Sequence, residues 1–230
     1  MSAVVLDIEG TVSPLAAVHD VLFPYARERI TDWVRGDRPG VAGVVADVRA
    51  ALARPDAGLD EVLGTLLDWH DRNAKHSPLK TLHGLVWEHG FAAGELRGVI
   101  HPDVPPALVD WRRRGVGCWV YSSGSVLAQR LWFSRSDHGD LSGWLAGHFD
   151  TVTGGPKREA ASYDRIAAAI GVPPAEILFL SDSLPELDAA HEAGWHAVGV
   201  SRPGDGFPDV ADHPSIASFA ELRQPRGAVA

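Results

Sequence analysis

Ala3-Val4-Val5-Leu6-Asp7-Ile8-Glu9-Gly10-Thr11 is the stretch that decides the fold. Its first half is apolar with no polar alternation, which predicts a strand buried on both faces; two acids, a glycine and a hydroxyl follow at the carboxyl end. The strand is placed at residues 4–8, and working outward, similar short runs stand at 116–121, 149–153, 177–180 and 196–200. Helical patterns with clear punctuation separate them. Asp103, Pro105 and Pro106 open a segment in which Val104, Leu108 and Trp111 share a face, and Gly115 closes it. Pro156 precedes a helical stretch through Ile170 with Gly171 just past its end, while Ser183, Pro185 and Glu186 read as a capping box for a helix that Gly194 ends. Buried strands joined by helices are parallel crossovers, so the expected fold class is an α/β doubly wound parallel sheet.

Between residues 15 and 97 the strand signal stops. Val18, Val21, Leu22, Tyr25, Ile30, Trp33 and Val34 fall at helical spacings, with Pro24 a kink or boundary. Three further helical stretches, 41–52, 59–69 and 79–87, are separated by Arg54-Pro55-Asp56 and Ser77-Pro78. The expected organisation is a core of residues 1–14 and 98–230 carrying an inserted helical cap, 15–97, of about four helices. After Ser201 the chain reads as loop, then as a short helical patch over 216–222.

Composition narrows the function. At 230 residues, 45% hydrophobic and 22% charged, the chain suits one packed core with room for an insertion, and neither disorder nor a coiled coil. No apolar run approaches the roughly 20 residues needed to span a bilayer, and the start lacks the features of a signal peptide, so a cytoplasmic protein is expected. The single cysteine, Cys118, leaves no internal disulfide. A net charge of −9 opposes binding to nucleic acid or an anionic membrane, so an anionic substrate must be met by a local device such as a cation, a lysine or a helix N-terminus. None of the eleven histidines shows the His-x-x-x-His spacing of a helical zinc site. Trp33, Trp69, Trp87 and Trp111 read as core. No long apolar face suggests self-association, and a monomer is expected.

In an open parallel sheet the ligand lies outside the carboxyl ends of the strands. Four polar segments stand there: Asp7-Ile8-Glu9-Gly10-Thr11, Tyr121-Ser122-Ser123-Gly124-Ser125, Gly154-Gly155-Pro156-Lys157 and Leu180-Ser181-Asp182-Ser183. Brought to one edge they supply three carboxylates, hydroxyl and glycine loops, and one lysine. That set suits a divalent cation and a phosphoryl group. Lys157 carries extra weight, because only three of the 21 basic residues are lysine.

The four segments, in this order, resemble the haloacid dehalogenase superfamily of phosphatases. Within it the chain is similar to the acireductone synthase family, the enolase-phosphatases of methionine salvage, through Asp7-Ile8-Glu9-Gly10-Thr11, residues 19–26 (His-Asp-Val-Leu-Phe-Pro-Tyr-Ala), residues 82–88 (Leu-His-Gly-Leu-Val-Trp-Glu), Tyr121-Ser122-Ser123-Gly124-Ser125 and Pro156-Lys157-Arg158-Glu159 with Ser162-Tyr163. Glu9, where most of the superfamily has aspartate, is the most diagnostic residue. The resemblance implies a Mg2+-dependent enzyme that enolises 2,3-diketo-5-methylthiopentyl 1-phosphate and then removes its phosphate. It implies Asp7 as nucleophile, Glu9 as acid and base with its backbone carbonyl on the metal, and Ser122, Ser123 and the Gly124 amide around the phosphoryl group. Lys157 would neutralise Asp7 and the phosphate, and Asp182 would be a metal ligand with Asp7. Glu186 is explained by the capping box, and His19, His83 and His89 are candidates for substrate contact in the insert. The competing readings are a general sugar-phosphate or small-metabolite phosphatase on the same scaffold and a non-enzymatic metabolite-binding protein; the latter predicts loss of Asp7, Lys157 or Asp182, and all three are present.

Overall fold

A computed structural model describes residues 1–36, 38–74, 76–205 and 212–222. The chain forms two compact units, Met1–Ala17 with Arg97–Ala230, and Val18–Leu96. In chain order the elements are β1 (Ala3–Leu6), a single helical turn α1 (Leu15–Ala17), a π-helical turn (Val18–Leu22), α2 (Phe23–Arg35), α3 (Val41–Ala51), α4 (Leu59–Asp71) and α5 (Ser77–Ala92). There follow α6 (Val104–Arg113), β2 (Gly117–Tyr121), α7 (Val126–Ser134), β3 (Gly147–Phe149), α8 (Ala160–Ile170), β4 (Ile177–Ser181), α9 (Leu184–Glu192), β5 (His196–Val200) and β6 (Ser215–Ile216).

The first unit is built on a parallel sheet with strand order β3-β2-β1-β4-β5-β6. Every residue of β1 is fully buried, as its unbroken apolar run requires. Leu6 stands level with Val120 of β2 on one side and with Leu180 of β4 on the other. The chain moves outward from β1 to β2 and β3, then crosses to β4, so the direction of winding reverses at β1. The residues that follow Leu6, Tyr121 and Leu180 are therefore neighbours at one crevice. The core under this edge is aromatic: Tyr163 of α8 lies edge-on to Tyr121, Phe179 and Trp195, with ring centroids 5.6, 5.3 and 5.2 Å away. Gly171 closes α8 at φ 70°, the left-handed position that a side chain would strain. Cys118 is buried on β2, and burial pushes its thiol up to about 12, so it supplies no thiolate at neutral pH.

Two sequence expectations are corrected here. The third strand ends at Phe149 instead of running over 149–153. The Asp150 carboxylate accepts the Val152 and Thr153 amides and the Thr153 hydroxyl, folding the β-branched run into a turn that leaves Val152 85% exposed. In the tail, Ser215 and Ile216 form an edge strand on β5, and the helical patch begins only at Phe219.

The second unit is helical. In it α2 packs on α4 and α5, and α3 on the same two helices. Ile30, Val44, Val48, Leu66, Leu82 and Val86 form its interior with Trp33, Trp69 and Trp87. The segment read as one helix with a break at Pro24 is a π turn running into α2, with the proline in the first helical turn, where its missing N–H costs nothing. Among the described residues no helix is long and apolar enough to cross a membrane.

Candidate active site

The nucleophile candidate sits on a turn wound around one carbonyl. The Asp7 amide continues the ladder to the Leu180 carbonyl at 2.9 Å, after which the Ile8 carbonyl accepts the amides of Thr11, Val12 and Ser13 at 3.2, 2.9 and 2.9 Å. Gly10 lies at φ 67°, and a Cβ there would stand 2.1 Å from Asp182 Oδ2. Only glycine lets the turn and the Asp182 carboxyl occupy the same crevice. The Ile8 amide donates to Asp7 Oδ1 at 2.7 Å, fixing the rotamer of a buried carboxylate.

Lys157 reaches that carboxylate from a loop pinned at four consecutive carbonyls. Arg165 donates to Gly154, the Tyr121 hydroxyl to Gly155, the Ser162 hydroxyl to Pro156 and the Tyr163 hydroxyl to Lys157 itself, all at 2.7–2.8 Å. Its ammonium, with the side chain 8% exposed, lies 2.7 Å from Asp7 Oδ1 and 2.6 Å from Glu186 Oε2. The Ser181 hydroxyl stands 3.0 Å from Asp7 Oδ2 and 3.2 Å from Glu186 Oε2, and accepts the Ser183 amide at 3.1 Å.

Glu186 is therefore not the capping residue that its spacing suggested. Ser183 stands at the helix start with no side-chain cap bond, and the glutamate turns away to Lys157 and Ser181. An ion pair with a buried ammonium is stronger than a bond to one exposed helix amide. Glu186 and Ser181 are the site residues that sequence reasoning missed.

The titrations follow from crowding. Burial, and then the charge of Asp7, push the Asp182 carboxyl up to about 7. The same two causes raise Glu186, against the pull of Lys157. Burial alone would lower Lys157, but Asp7 and Glu186 outweigh it and hold the ammonium charged far above neutral pH. Glu9 is half-buried on the turn, close enough for its charge to bear on Asp182.

The hydroxyl segment stands at the end of β2, beside β1 by register. Ser122 is buried and its hydroxyl oxygen accepts the Gly124 amide in a long bond of 3.3 Å; Ser123 is exposed and Gly124 half-buried. Ser125 caps α7, accepting from Ala128 at 3.3 Å, and Asp150 accepts the Val126 amide at 3.1 Å. Of the histidines singled out, His83 is buried in the helical unit with its Nε2 2.9 Å from Nδ1 of His70 and its ring edge-on to Phe23. His89 packs against Trp33, and His19 lies on the π turn.

Among the described residues no three His, Cys, Asp or Glu side chains gather as a ready cation cage. The donor set still fits a hard divalent cation: the carboxylates of Asp7 and Asp182 and the backbone carbonyls of their turn are all oxygen. The observation that favours it is Asp182, whose carboxyl is held up to about 7 by burial and the charge of Asp7, while the ammonium of Lys157 is bound to Asp7 and Glu186.

The profile of haloacid dehalogenase-like hydrolases matches residues 1–194. Enolase-phosphatase E1 of Frankia alni is 51% identical over 94% of this chain and 93% of its own length; that of Pseudomonas aeruginosa strain UCBPP-PA14 is 48% identical over 96% and 98%. The chain belongs to the enolase-phosphatase E1 family of haloacid dehalogenase-like hydrolases. Among solved structures, the UTR4 protein of Saccharomyces cerevisiae superposes with a TM-score of 0.81 at 32% identity, covering 95% of this chain and 98% of that one.

Proposed function

We propose that this member of the family is a bifunctional enolase-phosphatase of methionine salvage, converting 2,3-diketo-5-methylthiopentyl 1-phosphate to the acireductone 1,2-dihydroxy-3-keto-5-methylthiopentene and phosphate. The observation that supports the reading best is the buried contact of Lys157 with Asp7, on a loop whose four carbonyls are fastened in place.

In the phosphatase half, an Asp7 carboxylate oxygen attacks phosphorus in line, the bond to the ester oxygen breaks, and Glu9 gives that oxygen a proton. Glu9 then takes a proton from water, whose oxygen attacks the aspartyl phosphate and releases phosphate and the Asp7 carboxylate. Lys157 offsets the charge on Asp7 and on the incoming phosphoryl group. Ser122, whose oxygen accepts from Gly124, keeps its proton to donate to a phosphoryl oxygen, and Ser123 and the Gly124 amide line the same loop. Asp7, Asp182 and the Glu9 carbonyl would hold the metal, assigned here as Mg2+, which supplies Lewis-acid polarisation of the substrate oxygens. In the enolase half, Glu9 takes the α-proton and the enolate oxygen is protonated from solvent, which leaves a proton on Glu9 for the ester oxygen. The helical unit is the insert that selects the substrate. The enzyme works as a cytoplasmic monomer on a free small phosphate ester.

The test follows phosphate and enol absorbance together on the diketo phosphate with magnesium. Both signals are expected, and a chelator removes the phosphate signal. Phosphate release from a range of sugar phosphates at equal efficiency, with no enol signal, would make the protein a general phosphatase instead.

A further inference from the structure

Arg202 is 3% exposed, just beyond β5. Its Nε donates to the Thr11 carbonyl at 2.8 Å, and its Nη1 lies 2.7 Å from Asp103 Oδ2 and 3.3 Å from the Ala217 carbonyl. The guanidinium covers the Phe219 ring, 4.7 Å from its centroid. Asp103 Oδ2 also accepts the Ser218 hydroxyl at 2.8 Å and the Phe219 amide at 2.6 Å. Arg202 Nη2 has no hydrogen-bond partner among the described residues. Replacing a buried ion pair by apolar side chains of similar size is often neutral or stabilising, so an arginine here points to a role besides stability.

We propose that Arg202 is a positioning residue for the nucleophile turn, holding the Thr11 carbonyl so that the turn keeps its place against Asp182. This rests on Asp7 being the nucleophile. The turn satisfies its amides internally, on the Ile8 carbonyl. It is held from outside at two successive carbonyls, Thr11 by Arg202 and Val12 by the His101 amide at 2.9 Å. Thr11 directly follows Gly10, whose backbone already lies against the Asp182 carboxyl with no room for a methyl group. Rotation of the Thr11 carbonyl toward another donor therefore moves Gly10 against Asp182, and with it the relative positions of Asp7, Glu9 and Asp182. An error of about 1 Å between reacting groups costs on the order of 100-fold in rate.

The test compares Arg202→Lys with Phe219→Leu in the full chain with magnesium. Lysine keeps the charge beside Asp103, but one ammonium cannot reproduce the planar fork that also reaches Thr11. Arg202→Lys is expected to lower kcat about 10- to 100-fold with KM within about 3-fold of wild type. Phe219→Leu removes the ring under the guanidinium and leaves its hydrogen bonds to Thr11, Asp103 and Ala217, so it lowers Tm while kcat stays. Wild-type kcat in Arg202→Lys overturns the proposal, as does a kcat that falls in step with Tm in both variants, or an Arg202→Lys chain that does not fold, which would make the arginine a requirement of the fold. If wild type releases no phosphate from the diketo phosphate, the substrate assignment fails, and Arg202 is judged on beryllofluoride capture at Asp7. Arg202→Lys should weaken that capture at least about 10-fold, and equal capture overturns the proposal.

Discussion

Asp182→Asn should make the metal-free protein more stable at alkaline pH while removing its phosphatase activity. In the folded chain burial and the Asp7 charge hold this carboxyl at about 7, against an ordinary 3.8. Between those values the folded state keeps a proton that the unfolded state has released, so stability falls as pH rises through the window, and the whole cost is present above about pH 7. A difference of that size corresponds to at most about 4 kcal/mol, and relaxation with water entry reduces it to about 1–3 kcal/mol. At about 2–4 °C per kcal/mol for a chain of this size, the variant should melt roughly 2–12 °C above wild type near pH 8 and level with it below about pH 4. Asparagine is nearly isosteric, so the packing against Gly10 is kept and the charge is the variable. Thermal unfolding in excess chelator at the two pH values reads the difference. Glu186 titrates in both proteins and cancels. Saturating magnesium should stabilise wild type more than the variant at the alkaline pH. Identical melting temperatures at both pH values would show that Asp182 carries no unfavourable charge, and the argument for a cation beside it would lose its support.

Three further substitutions test the cluster. Lys157→Arg should lower kcat by at least about 100-fold although the charge is kept, because a planar fork cannot replace one nitrogen held 2.7 and 2.6 Å from two carboxylates; steady-state phosphate release measures it, and near-wild-type activity would remove the lysine from the site. Asp7→Asn removes the proposed nucleophile while leaving a neutral oxygen, so at high magnesium the enol phosphate should accumulate with no phosphate released. An absent enol signal with bound substrate would place the Asp7 carboxylate in the proton transfer as well. Ser181→Ala takes one hydrogen bond from Asp7 Oδ2 in a fully buried setting and should lower kcat about 3- to 10-fold, with about 1 kcal/mol lost from stability in denaturant titration; unchanged values would make the hydroxyl a bystander.

The parts of the site readable from sequence are those that strand ends dictate. An unbroken apolar run such as Ala3–Leu6 has to be buried on both faces, and parallel strands put the residue after each run at one edge, so Asp7, Ser122 and Asp182 are positioned by the same rule. The helix stops were equally legible at Gly171 and Gly194, since both lie at positive φ. What was not legible depends on side chains choosing among partners distant in sequence. Residues 149–153 have the composition of a strand, but Asp150 captures the amides that a longer ladder would use. Arg202 stands in a stretch that reads as loop, and its partners Thr11 and Asp103 are 191 and 99 residues away. No local pattern encodes that.

Glu186 shows how much such a choice matters to the chemistry. Its spacing from Ser183 fits a capping box as well as it fits anything else, and local reasoning stops there. In the folded chain the glutamate takes Lys157 instead, so the one ammonium of the site serves two carboxylates, Asp7 and Glu186. With Asp7, Glu186 and Asp182 all ionised the cluster holds three carboxylates against one lysine, and a dianionic phosphate approaching Asp7 then meets a field that repels it. The chain's own positive charge is already committed before substrate arrives. A cation placed between Asp7 and Asp182 would offset that charge, and Glu186, by binding the lysine, is one of the residues that leaves it to be offset.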